Sequence, residues 1–308
     1  MRILIAIATD DRARWHAAFA KALPEATIET DAPTRALDVD YLIAWRPPPA
    51  TFERARIRKA IFNVGAGVDA LLATPGLPRD VPIFRLEDAG MAQPMAEYVA
   101  AAVLRAYREL DRYDAAQRER RWEVRRPLDK SSYVIGVLGL GVLGAAVART
   151  LVTLGFPVAG YARTTKPLQG VRVFAGDAEL HPFLSSLRVL VCLLPSTQRT
   201  RGLLDRATLA ALPRGADVIN VARGDLVVEA DLLALLDEGH LAHATLDVFA
   251  EEPLPSTHPF WHHPRVTLTP HISALTRIDE SVAQVAASIR VIERGDLPAG
   301  RVDVDRGY

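Results

Sequence analysis

The chain has 308 residues, more than one ordinary hydrophobic core accommodates, so two domains are expected. Its 49% hydrophobic and 24% charged fractions are those of a soluble globular protein, and a formal net charge of zero gives no electrostatic reason to expect nucleic acid or an anionic membrane as a partner. A single cysteine excludes an internal disulfide and fits a reducing compartment, which makes the cytoplasm the expected location.

The chain opens with a short apolar run, residues 2–8, that soon meets Asp10 and Asp11. It reads as a first β-strand, not as the longer apolar region of a signal peptide. Residues 41–44 and 60–64 read as further strands, with Pro47, Pro48 and Pro49 breaking the chain between them. Strands alternating with helical patterns predict an α/β fold with a parallel sheet. From Pro94 to about Arg120 the spacing predicts one long helix, with Val99, Val103, Tyr107 and Leu110 on one face. Such a helix would carry the chain from one domain to the next.

The longest uncharged stretch, residues 131–148, is dotted with glycines and falls short of the roughly 20 residues that span a bilayer. Within it, residues 134–138 begin a second alternating series, whose later strands are expected near 157–161, 189–193, 218–221, 244–248 and 266–269. Cys192 sits inside one of these runs, where a free thiol is usually buried and inert. A last amphipathic helix carries Ile278, Val282, Val285 and Ile289 on one face and ends at Gly295. The polar tail beyond it has no periodicity to place it.

Gly139-Leu140-Gly141-Val142-Leu143-Gly144 matches G-x-G-x-x-G, after a strand and before an apolar helix expected over 145–154. Gly139 would make the tight turn, Gly141 would let backbone approach a pyrophosphate, and Gly144 would let helix pack on strand. Val142 and Leu143 then lie where a helix N-terminus offers N–H groups to phosphate. The next strand ends at Ala162, followed by Arg163, Thr164, Thr165 and Lys166, and no acid lies between Gly155 and Gly176. An acid about here would hold the ribose 2′-hydroxyl of NAD. Arg163, Thr164 and Lys166 suit a 2′-phosphate instead, so the expected cofactor is NADP, with NADPH preferred over NADH.

Three polar residues follow later strands: Arg223, Glu252 and His271. In an open parallel sheet, ligands bind outside the carboxyl ends of the strands. A carboxylate beside a histidine stabilises the protonated ring and keeps a proton available for a carbonyl oxygen. Arg223 can grip a carboxylate with its fork of donors. Together with a dinucleotide, this set predicts hydride transfer to a 2-keto acid. His258, His262 and His263 are close enough in sequence to be weighed as a metal site. No acid or cysteine lies within the cluster, and Pro259 and Pro264 point to an extended loop, so no metal is expected. The locally basic stretch 118–126 reads as a solvated or dimer-contact segment rather than a nucleic-acid site.

These motifs, with Asn220-Val221-Ala222-Arg223-Gly224, Asp247 through Pro255 and Thr269-Pro270-His271, resemble the D-isomer-specific 2-hydroxyacid dehydrogenase family. Within it, Gly65-Ala66-Gly67-Val68-Asp69, residues 85–91, Glu97-Tyr98, Gly155-Phe156-Pro157 and Asp305-Arg306-Gly307-Tyr308 resemble the glyoxylate/hydroxypyruvate reductase A branch. The resemblance spans nearly the whole chain. It implies two Rossmann-like or flavodoxin-like domains with the active site in a cleft between them. Residues 1–88 with 276–308 would form the substrate domain, and 89–275 the cofactor domain. It implies Arg223 as substrate-binding residue, His271 as proton donor and Glu252, not Glu251, as its partner. Backbone N–H groups of Ala66 and Gly67 would hold the substrate carboxylate, and Trp45 and Met91 would wall the pocket, with a place in the core as the equal alternative for either. Leu194, Pro195 and Thr197 would close over the adenine. Asp247 would lie near the nicotinamide, with a purely hydrogen-bonding role as its alternative. The family usually forms homodimers through the cofactor domain. A dinucleotide-sensing regulator on the same fold, or a dehydrogenase for a different 2-hydroxy acid, are the alternative readings.

Overall fold

The computed structural model describes residues 1–8, 11–30 and 35–308. Asp10, which closes the first apolar run, lies outside them. The chain divides into two compact units, Met1–Met91 with Thr276–Tyr308, and Ala92–Leu275.

The first unit is built on five parallel strands, β1 (Arg2–Ile7), β2 (Thr27–Thr30), β3 (Leu37–Trp45), β4 (Ala55–Asn63) and β5 (Ile83–Arg85), in the order β2-β1-β3-β4-β5. This is the flavodoxin-like strand order. The central strands read as near-continuous apolar runs because both sheet faces are covered, and Ile3, Ile5, Leu42, Ile43 and Ile61 are completely or almost completely buried. The helix Arg12–Ala22 packs on the helix Ile278–Glu293, whose Val282, Val285 and Ile289 are buried as their spacing predicts. Gly295, at φ +90°, follows that helix in the left-handed conformation a glycine adopts without strain. The polar tail returns to β5: Val302 N donates to Ile83 O (2.8 Å) and Arg85 N to Gly300 O (2.9 Å).

The second unit carries seven parallel strands: β6 (Ile135–Leu138), β7 (Val158–Ala162), β8 (Val171–Ala175), β9 (Val189–Cys192), β10 (Ala216–Asn220), β11 (Leu241–Leu246) and β12 (Val266–Leu268). Their order is β12-β11-β10-β9-β6-β7-β8. The direction of winding reverses between β6 and β9, which creates a topological switch point at the carboxyl ends of those two strands. Because every pairing is parallel, the turns after β6, β7, β9, β10, β11 and β12 all emerge at one edge. Cys192 is fully buried in β9, and burial pushes its thiol up to about 12.

One expected element is different. The helix from 94 to 120 is two helices, Ala92–Tyr107 and Leu110–Arg118, because Glu109 sits at φ +51°. Ion pairs hold the break: Arg105 engages Asp111 (2.7 Å) and Asp114, and Arg125 engages both oxygens of Glu109 (3.0 and 3.1 Å). Val99 and Val103 are buried on the first helix, whereas Leu110, past the break, is 41% exposed. The helix after the glycine motif also begins three residues early, spanning Val142–Thr153.

Candidate active site

In the second unit, the glycine motif fills the turn after β6. Gly139 stands at φ +111°, and a Cβ there would lie 2.7 Å from Leu193 O. A Cβ on Gly144 would lie 1.8 Å from Gly139 O, so the helix touches the turn with nothing between them. At Gly141 a Cβ would meet nothing within 4 Å, and the glycine brings no side chain to the helix N-terminus. The first turn of that helix, with Val142 and Leu143, holds no acid. An open glycine before uncapped N–H groups fits a dinucleotide pyrophosphate. The turn after β9 lies alongside, and Thr200 shapes it: its hydroxyl donates to Pro195 O (2.6 Å) and accepts from Thr197 N (2.8 Å). Leu194, Pro195 and Thr197 are all partly exposed there. At the end of β7, Arg163, Thr164 and Lys166 are exposed.

The turn after β10 carries Arg223. Asn220 braces it on both sides, accepting from Ala222 N (3.1 Å) and donating to Arg223 O (2.9 Å). Arg223 Nη1 donates to Ala222 O (2.7 Å). The following Gly224 lies directly against the backbone after β11, since a Cβ on it would lie 1.8 Å from Phe249 C. The Arg223 turn and the loop bearing Glu252 therefore meet backbone to backbone.

Glu252 uses both oxygens. Oε1 accepts from Phe249 N (3.1 Å), and Oε2 lies 2.9 Å from His271 Nδ1. A carboxylate in this bond accepts, so Nδ1 carries the proton and Nε2 is the ring nitrogen left for chemistry. Glu251 is exposed and does not take this place. His271 itself stands at φ +54°. Asp247 is completely buried: Oδ1 accepts from Thr269 Oγ1 (2.6 Å) and Ile272 N (2.8 Å), and Oδ2 from Ser273 N (2.8 Å). These bonds occupy both of its carboxylate oxygens.

The other expected residues belong to the first unit. β4 ends at Asn63, which is buried and donates from Nδ2 to both Gly65 O and Gly67 O (3.0 Å each). With those carbonyls drawn toward Asn63, Ala66 and Gly67 form a partly exposed turn. Trp45 at the end of β3 lies flat enough on this turn that a Cβ on Gly65 would fall 2.2 Å from its ring. Met91, which begins no strand but closes the first unit, is 3% exposed.

Of the clustered histidines, His258 Nε2 is 3.3 Å from Glu229 and His263 Nε2 is 3.2 Å from Asp237, so the acids absent from the local sequence arrive from elsewhere, one to each ring. The segment includes a short helical turn, Pro259–Trp261, instead of being extended throughout. No cluster able to hold a metal occurs among the described residues, and none of their helices is long and apolar enough to cross a membrane.

Asn63, Asn220 and Thr200 shape these turns without having been expected to, and Tyr98 Oη lies 2.5 Å from Thr269 Oγ1, two residues before His271. Asn63 and Asn220 share one signal: each is the last residue of a buried strand, where a polar side chain must find backbone partners.

Residues 100–273 match the family described as D-isomer specific 2-hydroxyacid dehydrogenase, NAD binding domain. Over 299 residues the chain is 46% identical to glyoxylate/hydroxypyruvate reductase A of Serratia proteamaculans, covering 96% of each. A D-isomer specific 2-hydroxyacid dehydrogenase from Xanthobacter autotrophicus, solved with NADPH and MES, superposes with a TM-score of 0.94 at 42% identity, over 100% of this chain and 99% of that one. The NADPH-dependent glyoxylate/hydroxypyruvate reductase of Sinorhizobium meliloti, solved with NADP and sulfate, gives a TM-score of 0.94 at 35% identity over the same shares.

Proposed function

Since the chain belongs to the D-isomer-specific 2-hydroxyacid dehydrogenase family, we propose that it reduces small 2-keto acids, glyoxylate and hydroxypyruvate, to 2-hydroxy acids with NADPH. The bond between His271 Nδ1 and Glu252, at the same sheet edge as the glycine turn, carries this reading. Bound NADPH supplies the hydride to the carbonyl carbon. His271 donates its Nε2 proton to the carbonyl oxygen, which becomes the hydroxyl, and Glu252 stabilises the ring while it holds two protons. Arg223 binds the carboxylate and polarises the adjacent carbonyl, because its planar fork matches two oxygens at once. In the first unit, the partly exposed Ala66–Gly67 turn offers backbone N–H groups suited to a carboxylate. Gly139, Gly141, Val142, Leu143 and Gly144 hold the pyrophosphate; Leu194, Pro195 and Thr197 cover the adenine; and Arg163, Thr164 and Lys166 hold the 2′-phosphate.

The enzyme works as a homodimer through its cofactor domain. Trp122 is 98% exposed and Val124 85% exposed on a segment whose base is fixed by the Arg125–Glu109 and Arg121–Glu123 ion pairs, and apolar groups so displayed suit burial against a second copy.

Mixing the purified protein with NADPH and either keto acid tests the proposal: the absorbance of reduced nicotinamide should fall with saturable kinetics. A protein that binds NADPH but turns over neither acid would favour the regulatory reading instead.

A further inference from the structure

The segment bearing His271 is held by a chain of side-chain hydrogen bonds that no step of the reaction uses. A non-glycine residue at φ +54° is strained by roughly 1–3 kcal/mol, so the surrounding structure must impose the conformation. Asp247 imposes it. Its backbone carbonyl accepts from His271 N (2.8 Å), while its carboxylate accepts from the next two backbone N–H groups, those of Ile272 and Ser273 (2.8 Å each). Three consecutive N–H groups are therefore gathered by one residue at the end of β11.

The carboxylate is itself oriented from behind. Thr269 Oγ1 lies 2.6 Å from Asp247 Oδ1 and 2.5 Å from Tyr98 Oη. A hydroxyl has one proton to donate, and the carboxylate oxygen, with the backbone N–H of Ile272 already directed at it, acts as an acceptor. Thr269 thus donates to Asp247 and must accept from Tyr98, which settles the direction of a bond that distance alone leaves open. Tyr98 stands on the helix Ala92–Tyr107, and burial pushes its phenol above the ordinary range, which keeps the donor proton in place. The order runs Tyr98 to Thr269 to Asp247, and from Asp247 to the backbone of His271, Ile272 and Ser273.

We propose that Tyr98 and Thr269 are positioning residues for the reaction: through Asp247 they hold the His271 backbone in the conformation that aims Nε2 at the carbonyl oxygen. This rests on the reading of His271 as proton donor. The chain ties the helix that begins the second unit, at Ala92, to the segment that ends it, at Leu275, so the histidine is fixed by both.

Thr269→Val, nearly isosteric, removes both hydroxyl bonds. Thr269→Ser keeps them, and Tyr98→Phe removes only the outer one. Misplacement by about an ångström can cost about a hundredfold in rate, so Thr269→Val should lower kcat for glyoxylate by roughly ten- to a hundredfold, with KM for NADPH within about twofold of wild type. Tyr98→Phe should lose a smaller factor of kcat, and Thr269→Ser should restore most of it. His271→Gln is measured alongside. If His271→Gln is inactive while Thr269→Val turns over like wild type, the positioning role is wrong and the donor assignment survives. If His271→Gln itself retains full turnover, the donor assignment falls and takes the positioning role with it. A rise in KM for NADPH that accounts for the whole loss would likewise overturn the proposal, as would full activity of Tyr98→Phe in a protein whose Thr269→Val variant does not fold.

Discussion

Strand β10 joins two polar clusters of opposite character. At its carboxyl end, Asn220 and the Arg223 turn lie beside Glu252 and His271, where each carboxylate oxygen of Glu252 and Asp247 has at least one short partner. Near its amino end, Asp217 is buried with one long contact, 3.4 Å from the hydroxyl of Tyr133, and with Arg188 nearby over the Tyr133 ring. Burial pushes the Asp217 carboxyl up to about 7, an effect the charge of Arg188 and the Tyr133 bond only partly offset. The same residue type is thus well solvated by protein at one end of the sheet and poorly at the other. Donor satisfaction, not burial, separates them, since Asp247 is the more deeply buried of the two.

Substitutions at the two ends should therefore have opposite signatures. At the carboxyl edge, Glu252→Gln keeps a hydrogen-bonding oxygen but removes the charge that stabilises the doubly protonated ring. Turnover of glyoxylate should drop, by a substantial part of the roughly hundred- to ten-thousandfold that a general acid contributes, while the melting temperature stays close to wild type. Steady-state kinetics beside thermal melts measure both; a large stability loss with normal turnover would erase the contrast.

A smaller effect is expected further along the same edge. If Arg163 and Lys166 hold a 2′-phosphate, charge-assisted bonds worth about 1.5–3 kcal/mol give NADPH a preference of roughly ten- to a hundred-and-fiftyfold. Added salt should shrink it, because these side chains are exposed. Ala162→Asp with Arg163→Ala should reverse the ratio of kcat/KM for the two cofactors, by repelling the phosphate and offering an acceptor to the ribose hydroxyl. A wild-type ratio at or below one would remove the phosphate from this turn.

At the amino end the effect is on stability alone. Asp217 has a folded pKa above its ordinary value of 3.8, so between about pH 4 and pH 7 the folded chain holds a proton that the unfolded chain has released. The proton's contribution is complete below that window and is lost as pH rises through it, leaving a penalty on the order of 4 kcal/mol above neutrality. Asp217→Asn should raise the melting temperature at pH 8, flatten its dependence on pH across that window, and leave kcat unchanged. Thermal melts at pH 5 and pH 8 for both proteins measure this; equal slopes would show that Asp217 is not the group responsible.

The two ends also differed in how far the sequence revealed them. The turns proposed as catalytic were legible because each follows an apolar run that gives way to polar residues, and a parallel sheet places all such turns at one edge. Arg223 and His271 stand out by that pattern, whereas the choice of Glu252 over Glu251 came from the family resemblance, since Glu252 lies six residues beyond the end of β11. The polar residues that hold them in place did not announce themselves. Asn63 and Asn220 bond to backbone within four residues, yet their partners depend on how the turn closes. Tyr98 meets Thr269 from 171 residues away. β2, β5 and β8 were missed: β2 and β8 are edge strands that keep exposed polar residues, as Thr27 and Arg172 do, and β5 is only three residues long, too short to show a period. The break at Glu109 contains neither glycine nor proline. It is set by ion pairs to Arg125 and between Arg105 and Asp111, which no local pattern encodes.

In the proposed reaction His271, paired with Glu252, delivers the proton as NADPH reduces a 2-keto acid. Single-turnover oxidation of bound NADPH on mixing with glyoxylate, compared for wild type and His271→Gln at equal cofactor occupancy, tests it most directly. Rapid oxidation is expected in the wild type, and a rate slower by roughly a hundred- to ten-thousandfold in the variant, with NADPH still bound. Equal rates in the two proteins would contradict it.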